Sequence, residues 1–143
     1  SDISEIKKIV GTKSKIISKI ETKNALKNLT QISNNSDAIL IDRGDLSRYI
    51  PIEKIPLAQE YILKKSKNKI PVYVATNLLE TMIKENEPTR AESHDIFSTL
   101  KQGASGLVLA AETAIGHSPS KTVRFLKKCI KVFLKHKNKN LNY

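Results

Sequence analysis

The stretch SDAILIDRGDL, Ser36 to Leu46, decides the fold. Its apolar residues Ala38 to Ile41 run directly into Asp42, Arg43, Gly44 and Asp45. A run this short, rich in isoleucine and closed by charge and glycine, reads as a buried strand ending in a polar cluster. Three other runs repeat the pattern: IISKI at Ile16 to Ile20, IPVYVA at Ile70 to Ala75, and GLVLA at Gly106 to Ala110. Successive starts lie 22, 32 and 36 residues apart, and a helical pattern fills each gap. Asn24 to Ile32 presents Leu26 and Leu29. Glu53 to Lys67 presents Ile55, Ala58, Tyr61 and Ile62, and Arg90 to Gln102 presents Ala91, Phe97 and Leu100. Pro119 then opens a helix carrying Val123, Leu126, Ile130, Phe133 and Leu134, and Ile3, Ile6, Ile9 and Val10 form another before a C-capping Gly11. Strand alternating with helix at these lengths predicts an α/β fold of four successive parallel βα units preceded by a helix.

Composition narrows the function classes. The 143 residues are 39% hydrophobic and 27% charged, so a single domain with an ordinary core is expected. That domain is expected over residues 1–136, with a polar tail over 137–143. The 25 basic residues against 14 acidic ones give a net charge of +11, but Arg43, Arg48, Arg90 and Arg124 are the only arginines and aromatics reach just 5%. Nucleic-acid readers need more arginine, stacking aromatics and a clustered basic face, and the lysines here read as spread over every helix, so no nucleic-acid partner is expected. No apolar run has the length of a membrane span, so no membrane partner is expected either, and the first ten residues lack a signal-peptide pattern. The single Cys129 excludes a disulfide framework and points to a reducing, cytoplasmic setting, while His94, His117 and His136 lack zinc-ligand spacing. Opening on Ser1 rather than Met is expected of a processed product or an excised piece.

In βα proteins the functional side chains gather at the carboxyl ends of the strands. The first run ends in Lys19 and Glu21, which share a strand face; the second in Asp42, Arg43, Gly44 and Asp45; the third in Thr76, Asn77 and Glu80; the fourth in Glu112 and Thr113. Two carboxylates from adjacent strand ends, Glu21 and Asp45, suit one Mg²⁺ that completes its shell with water and substrate oxygens. Lys19 beside them supplies fixed positive charge for a phosphoryl group. The plainer alternatives are a Lys19–Glu21 salt bridge closing the sheet end, Asp45 as a turn or helix cap, and Thr76 as an ordinary strand residue.

At these residues the sequence resembles the pyruvate kinase family. KIISKIE (Lys15 to Glu21), SDAILIDRGDL with EKIPLAQ following (Glu53 to Gln59), PVYVATNLLETMI (Pro71 to Ile83), EPTRAE (Glu87 to Glu92) and AAETAIGHSP (Ala110 to Pro119) fall in that family's order and spacing. The resemblance covers roughly Ser1 to Phe133 and implies the last four units of a TIM-type (β/α)8 barrel, a half-barrel. Nothing matches the first half-barrel, the lid domain or the regulatory domain. The resemblance implies a glycolytic, cytoplasmic, oligomeric phosphotransferase that moves the phosphoryl group of phosphoenolpyruvate to ADP with Mg²⁺. It assigns Lys19 to the phosphoryl group, Glu21 and Asp45 to the metal, the backbone N–H groups of Gly44 and Asp45 to the substrate carboxylate, and Thr76 to the proton that completes pyruvate. The chain alone is expected to be inactive, to bind nucleotide only when the missing half is supplied, and to self-associate or need that half to cover its open sheet edges.

Four positions depart from the family pattern. Asp42 stands where the family has a small residue, Ala110 replaces a serine, Ser47 replaces a glycine after GDL, and Asn77 replaces a glutamine. Asp42 is expected to repel an anionic substrate. It keeps open two further readings: a lyase or aldolase that stabilises an enolate with Mg²⁺ on a related barrel, and a non-catalytic pyruvate kinase-like module.

Overall fold

All four apolar runs form parallel strands, trimmed where the backbone chemistry demands it. The computed structural model describes residues 2–11 and 13–138. Strand β1 spans Ile17–Ile20, β2 Ala38–Asp42, β3 Val72–Ala75 and β4 Gly106–Val108, paired in the order β1-β2-β3-β4. β3 starts later than Ile70 because Pro71 has no N–H to give a ladder, although its carbonyl accepts from Ile39 N–H at 2.9 Å. Backbone contacts group the chain into two compact units: residues 1–75 with 102–108, and residues 76–101 with 109–143.

The first unit holds the whole sheet. The register Ile20↔Ile41 and Ile41↔Val74 puts Ile20, Ile39, Ile41, Val72 and Val74 on one sheet face, all buried together with Leu29, Leu46, Ile55, Ile62 and Leu63. Each such side chain removed from water contributes about 1.5–3 kcal/mol before entropy is charged. The opposite face carries Lys19, Leu40 and Tyr73 in register and is half-buried or exposed. Tyr73 stacks over Gly106, whose absent Cβ would lie 2.8 Å from the Tyr73 ring. β1 and β4 are the sheet's two edges.

Helix α1 covers Asp2–Val10 and ends, as expected, at a left-handed Gly11 (φ 70°) whose N–H donates to the Lys7 carbonyl. The helix expected over Asn24 to Ile32 is broken into α2, Lys23–Lys27, and α3, Leu29–Asn35. Asn28 breaks it: its side-chain amide donates to both the carbonyl and the side-chain oxygen of Asn24, at 3.0 and 3.1 Å, competing with helical bonding. A four-residue helix α4, Arg43–Leu46, follows β2, and α5, Ile55–Ser66, leads to β3.

In the second unit, a 3₁₀ turn at Glu80–Ile83 precedes α6, Arg90–Lys101, and α7, Ala111–Ala114, precedes α8, Pro119–Asn138. Phe97 of α6 meets Phe133 of α8 edge to face at 5.5 Å. Glu112 is 2% exposed and clamps two loops, accepting the N–H of Ala110 at 2.9 Å and of Leu79 at 3.3 Å. That clamp draws Ala110 out of the strand expected to reach it. The lysine excess is not spread evenly: α8 carries seven basic residues and no acidic one. The helix includes Lys137 and Asn138, the first residues of the tail expected over 137–143, and Lys139 to Tyr143 lie outside the described residues. No helix of the described residues is long and apolar enough to cross a membrane.

Two outcomes follow. A Cβ at Gly116 would run into the Glu112 carbonyl oxygen and sit 3.3 Å from that of Met82. Gly116→Ala is therefore expected to cost about 1–3 kcal/mol in urea unfolding, and an unchanged midpoint would contradict the close approach. Glu92 loses solvation through burial, yet N–H bonds from Thr89 at 2.7 Å and Thr81 at 2.8 Å, helped by the Thr89 hydroxyl, hold its carboxyl below its ordinary value. Because the folded value is depressed, this stability is present above the unfolded value near 4.5 and is lost as pH falls through the folded one. Glu92→Gln should flatten that acid limb in pH-dependent unfolding while leaving the slope above pH 6 unchanged.

Candidate functional site

The register of β1 on β2 brings the two strand ends together. Lys19 and Glu21 point the same way because strand side chains alternate, and Thr22 ends the strand by capping α2, its hydroxyl accepting Ala25 N–H at 3.1 Å. Across the pair, Asp42 closes β2 and caps α4, accepting Asp45 N–H on Oδ1 at 3.2 Å. This short helix brings Asp45 back over the strand end. The Lys19 ammonium sits 2.8 Å from Glu21 Oε2, 3.0 Å from Asp42 Oδ2 and 3.6 Å from Asp45 Oδ2. Arg48 adds a looser contact, Nε to Asp45 Oδ1 at 3.5 Å. Hydrogen bonds from Lys19 to Glu21 and then to Asp42 push the lysine well above its ordinary pKa, against the opposing pull of burial.

Carboxylate oxygens of Glu21, Asp42 and Asp45 lie within 4.8 Å of one another. Hard oxygen donors at this spacing suit a divalent cation whose shell is completed by water. The ammonium already seated among them shows that the geometry favours positive charge.

Lys19, Glu21, Gly44 and Asp45 are thus gathered at one strand end, with Asp42 as a member that residue types alone did not assign to the site. The cap expected of Asp45 is supplied instead by Asp42, three residues before the N–H it accepts, a spacing the sequence displays. In consequence the Asp45 N–H, one of two backbone donors expected for a substrate carboxylate, is engaged by Asp42 in this structure. The Lys19–Glu21 salt bridge exists as well, within the larger cluster.

Thr76 opens the second unit directly after β3. It is not an ordinary strand residue: Thr76 and Asn77 both have left-handed backbones, φ 69° and 53°. For a β-branched threonine that conformation costs about 1–3 kcal/mol and is typical of functional turns. Asn77 then donates to Glu80 Oε2 at 2.9 Å. Glu112, a polar strand-end candidate, serves the loop clamp described above.

The comparisons with known proteins agree with one another. Residues 1–123 match the family described as "Pyruvate kinase, barrel domain". Pyruvate kinase of Thermotoga maritima is 48% identical over 122 residues, 85% of this chain and 26% of the relative. The probable cytosolic pyruvate kinase isozyme of Arabidopsis thaliana is 42% identical over 132 residues, 90% of this chain and 27% of the relative. The chloroplastic pyruvate kinase isozyme G of Ricinus communis is 44% identical over 112 residues, 78% of this chain and 27% of the relative. The chain therefore spans about a quarter of the length of these curated relatives. With its four parallel strands in sequential order and its strand-end cluster, this chain belongs to the pyruvate kinase family, within the (β/α) barrel domain.

Proposed function

We propose that this chain supplies the metal and anion end of a pyruvate kinase site, in which a longer polypeptide moves the phosphoryl group of phosphoenolpyruvate to ADP. The observation that carries the reading is the seating of the Lys19 ammonium between Glu21 and Asp45, at 2.8 and 3.6 Å, in a chain of this family. Glu21 and Asp45 would hold Mg²⁺, and Asp42 stands close enough to join them. When bound, Mg²⁺ supplies the concentrated positive charge that enol and phosphoryl oxygens need as the phosphoryl group departs. Lys19 neutralises the travelling phosphoryl group. The Gly44 N–H would serve the substrate carboxylate, joined by the Asp45 N–H once released from Asp42. Thr76 orients a proton toward the carbon that becomes the methyl group of pyruvate. Positioning and charge neutralisation, rather than covalent catalysis, are what such a transfer demands.

A second reading, an enolate-stabilising lyase or aldolase, gains support from one observation: Asp42 holds the lysine that a phosphoryl group would need. The cytoplasm is the proposed compartment, in keeping with the lone cysteine and the cytosolic relative, with the chloroplastic relative as the competing case. Two sheet edges without strand partners further support association with a second copy of the chain.

Calorimetric titration of oxalate, which resembles an enolate, tests the metal reading. Binding is expected only with Mg²⁺, weakened at least about tenfold, or about 1.4 kcal/mol, in Asp45→Asn or Glu21→Gln. Equal binding without Mg²⁺, or in Asp45→Asn, would overturn it. Sedimentation equilibrium at micromolar concentration should show a self-associating chain, and a strictly monomeric, cooperatively folded species would remove the edge-pairing proposal.

A further inference from the structure

We propose that Asp42 is a specificity-determining residue that weakens the site's hold on phosphorylated anions by competing with them for the Lys19 ammonium. The inference rests on the reading of Lys19, Glu21 and Asp45 as a cation and anion site.

The three carboxylates around Lys19 are not equivalent. The Asp42 side chain is 11% exposed, against 36% for Glu21 and 38% for Asp45. Its Oδ1 accepts the Asp45 N–H at 3.2 Å, a backbone anchor for the carboxylate, and its Oδ2 faces the ammonium at 3.0 Å. Glu21 is held by Lys19 and Asp45 by Lys19 and Arg48, side-chain contacts that a divalent cation can replace. Asp42, anchored to the backbone as well, remains beside the lysine.

An arriving anion must then compete with a fixed carboxylate for the same ammonium, and must also accept that carboxylate's repulsion. Both penalties grow with the negative charge the ligand brings to Lys19. A phosphoryl group brings the most, and a lone carboxylate resting on the metal brings the least. With Mg²⁺ present, the three carboxylates, Lys19, Arg48 and the cation sum to one positive charge, whereas a neutral residue at this position would leave two for the ligand. The penalty therefore falls most on the phosphorylated enol ester and least on the small unphosphorylated 2-oxo acid.

Calorimetric titration of the full chain with Mg²⁺ and three probes, phosphoenolpyruvate, oxalate and pyruvate, tests this on wild type, Asp42→Asn and Asp42→Ala. Asparagine retains an oxygen for the Asp45 N–H and removes only the charge. Asp42→Asn is expected to tighten phosphoenolpyruvate by about tenfold, oxalate by about threefold and pyruvate by less than about twofold. Asp42→Ala should keep the same ranking with a lower melting temperature from the lost cap, and should it fail to fold, Asp42→Asn decides alone. Phosphoenolpyruvate binding that emerges only in Asp42→Asn would support the proposal. Uniform tightening of all three probes, or none, would overturn it while leaving the metal reading intact. Absence of Mg²⁺-dependent binding of every probe by every variant would sink both.

Discussion

The parallel pairing of β1 with β2, with Ile20 opposite Ile41, is the constraint on which the rest depends. A slip by one residue would reverse every side chain, moving Ile20 and Ile41 out of the core and separating Lys19 from the carboxylates beyond Ile41. Burial of the isoleucines on one face therefore fixes, at no further cost, the spacing of the charged groups on the other. The site uses a register that hydrophobic packing already enforces. This is how a barrel strand carries chemistry at its end without being stabilised by that chemistry.

The strands and longer helices were legible in the sequence because their signals are periodic and local. Ile, Val and Leu in runs of four to six residues admit few arrangements, and Pro119 and Gly11 punctuate helices by their own backbone limits. The errors fell where a side chain competes with the backbone. Asn28 splits a helix whose apolar spacing is continuous, and Glu112 takes the N–H that would have lengthened β4. Neither competitor leaves a periodic trace.

The candidate site was legible in its membership but not in its internal bonding. Lys19, Glu21 and Asp45 could be read from strand-end placement, and Asp42 stood out as a departure from the family pattern. Its second role, capping α4, is what places it within reach of Lys19. A residue read only as an unwelcome charge thus becomes the most firmly held member of the cluster. The backbone at Thr76 was unreadable for a different reason: a left-handed threonine is imposed by the turn and opposes the residue's own preference.

The charge distribution along α8 also gives that helix an uneven response to salt. Its last turn holds Lys135 and Lys137, whose positive charge complements the partial negative charge of the C-terminal carbonyls. Near its start, Lys121 and Arg124 face the opposite end of the helix dipole, and Arg124 to Lys128 and Lys127 to Lys131 are like-charge neighbours one turn apart. Added counterions relieve the like-charge repulsion along the helix, which includes Lys131 and Lys135, and weaken the favourable charge–dipole contact of its last turn. Ionic strength therefore acts on α8 through two opposed effects, relief of repulsion along its length and loss of attraction at its tip.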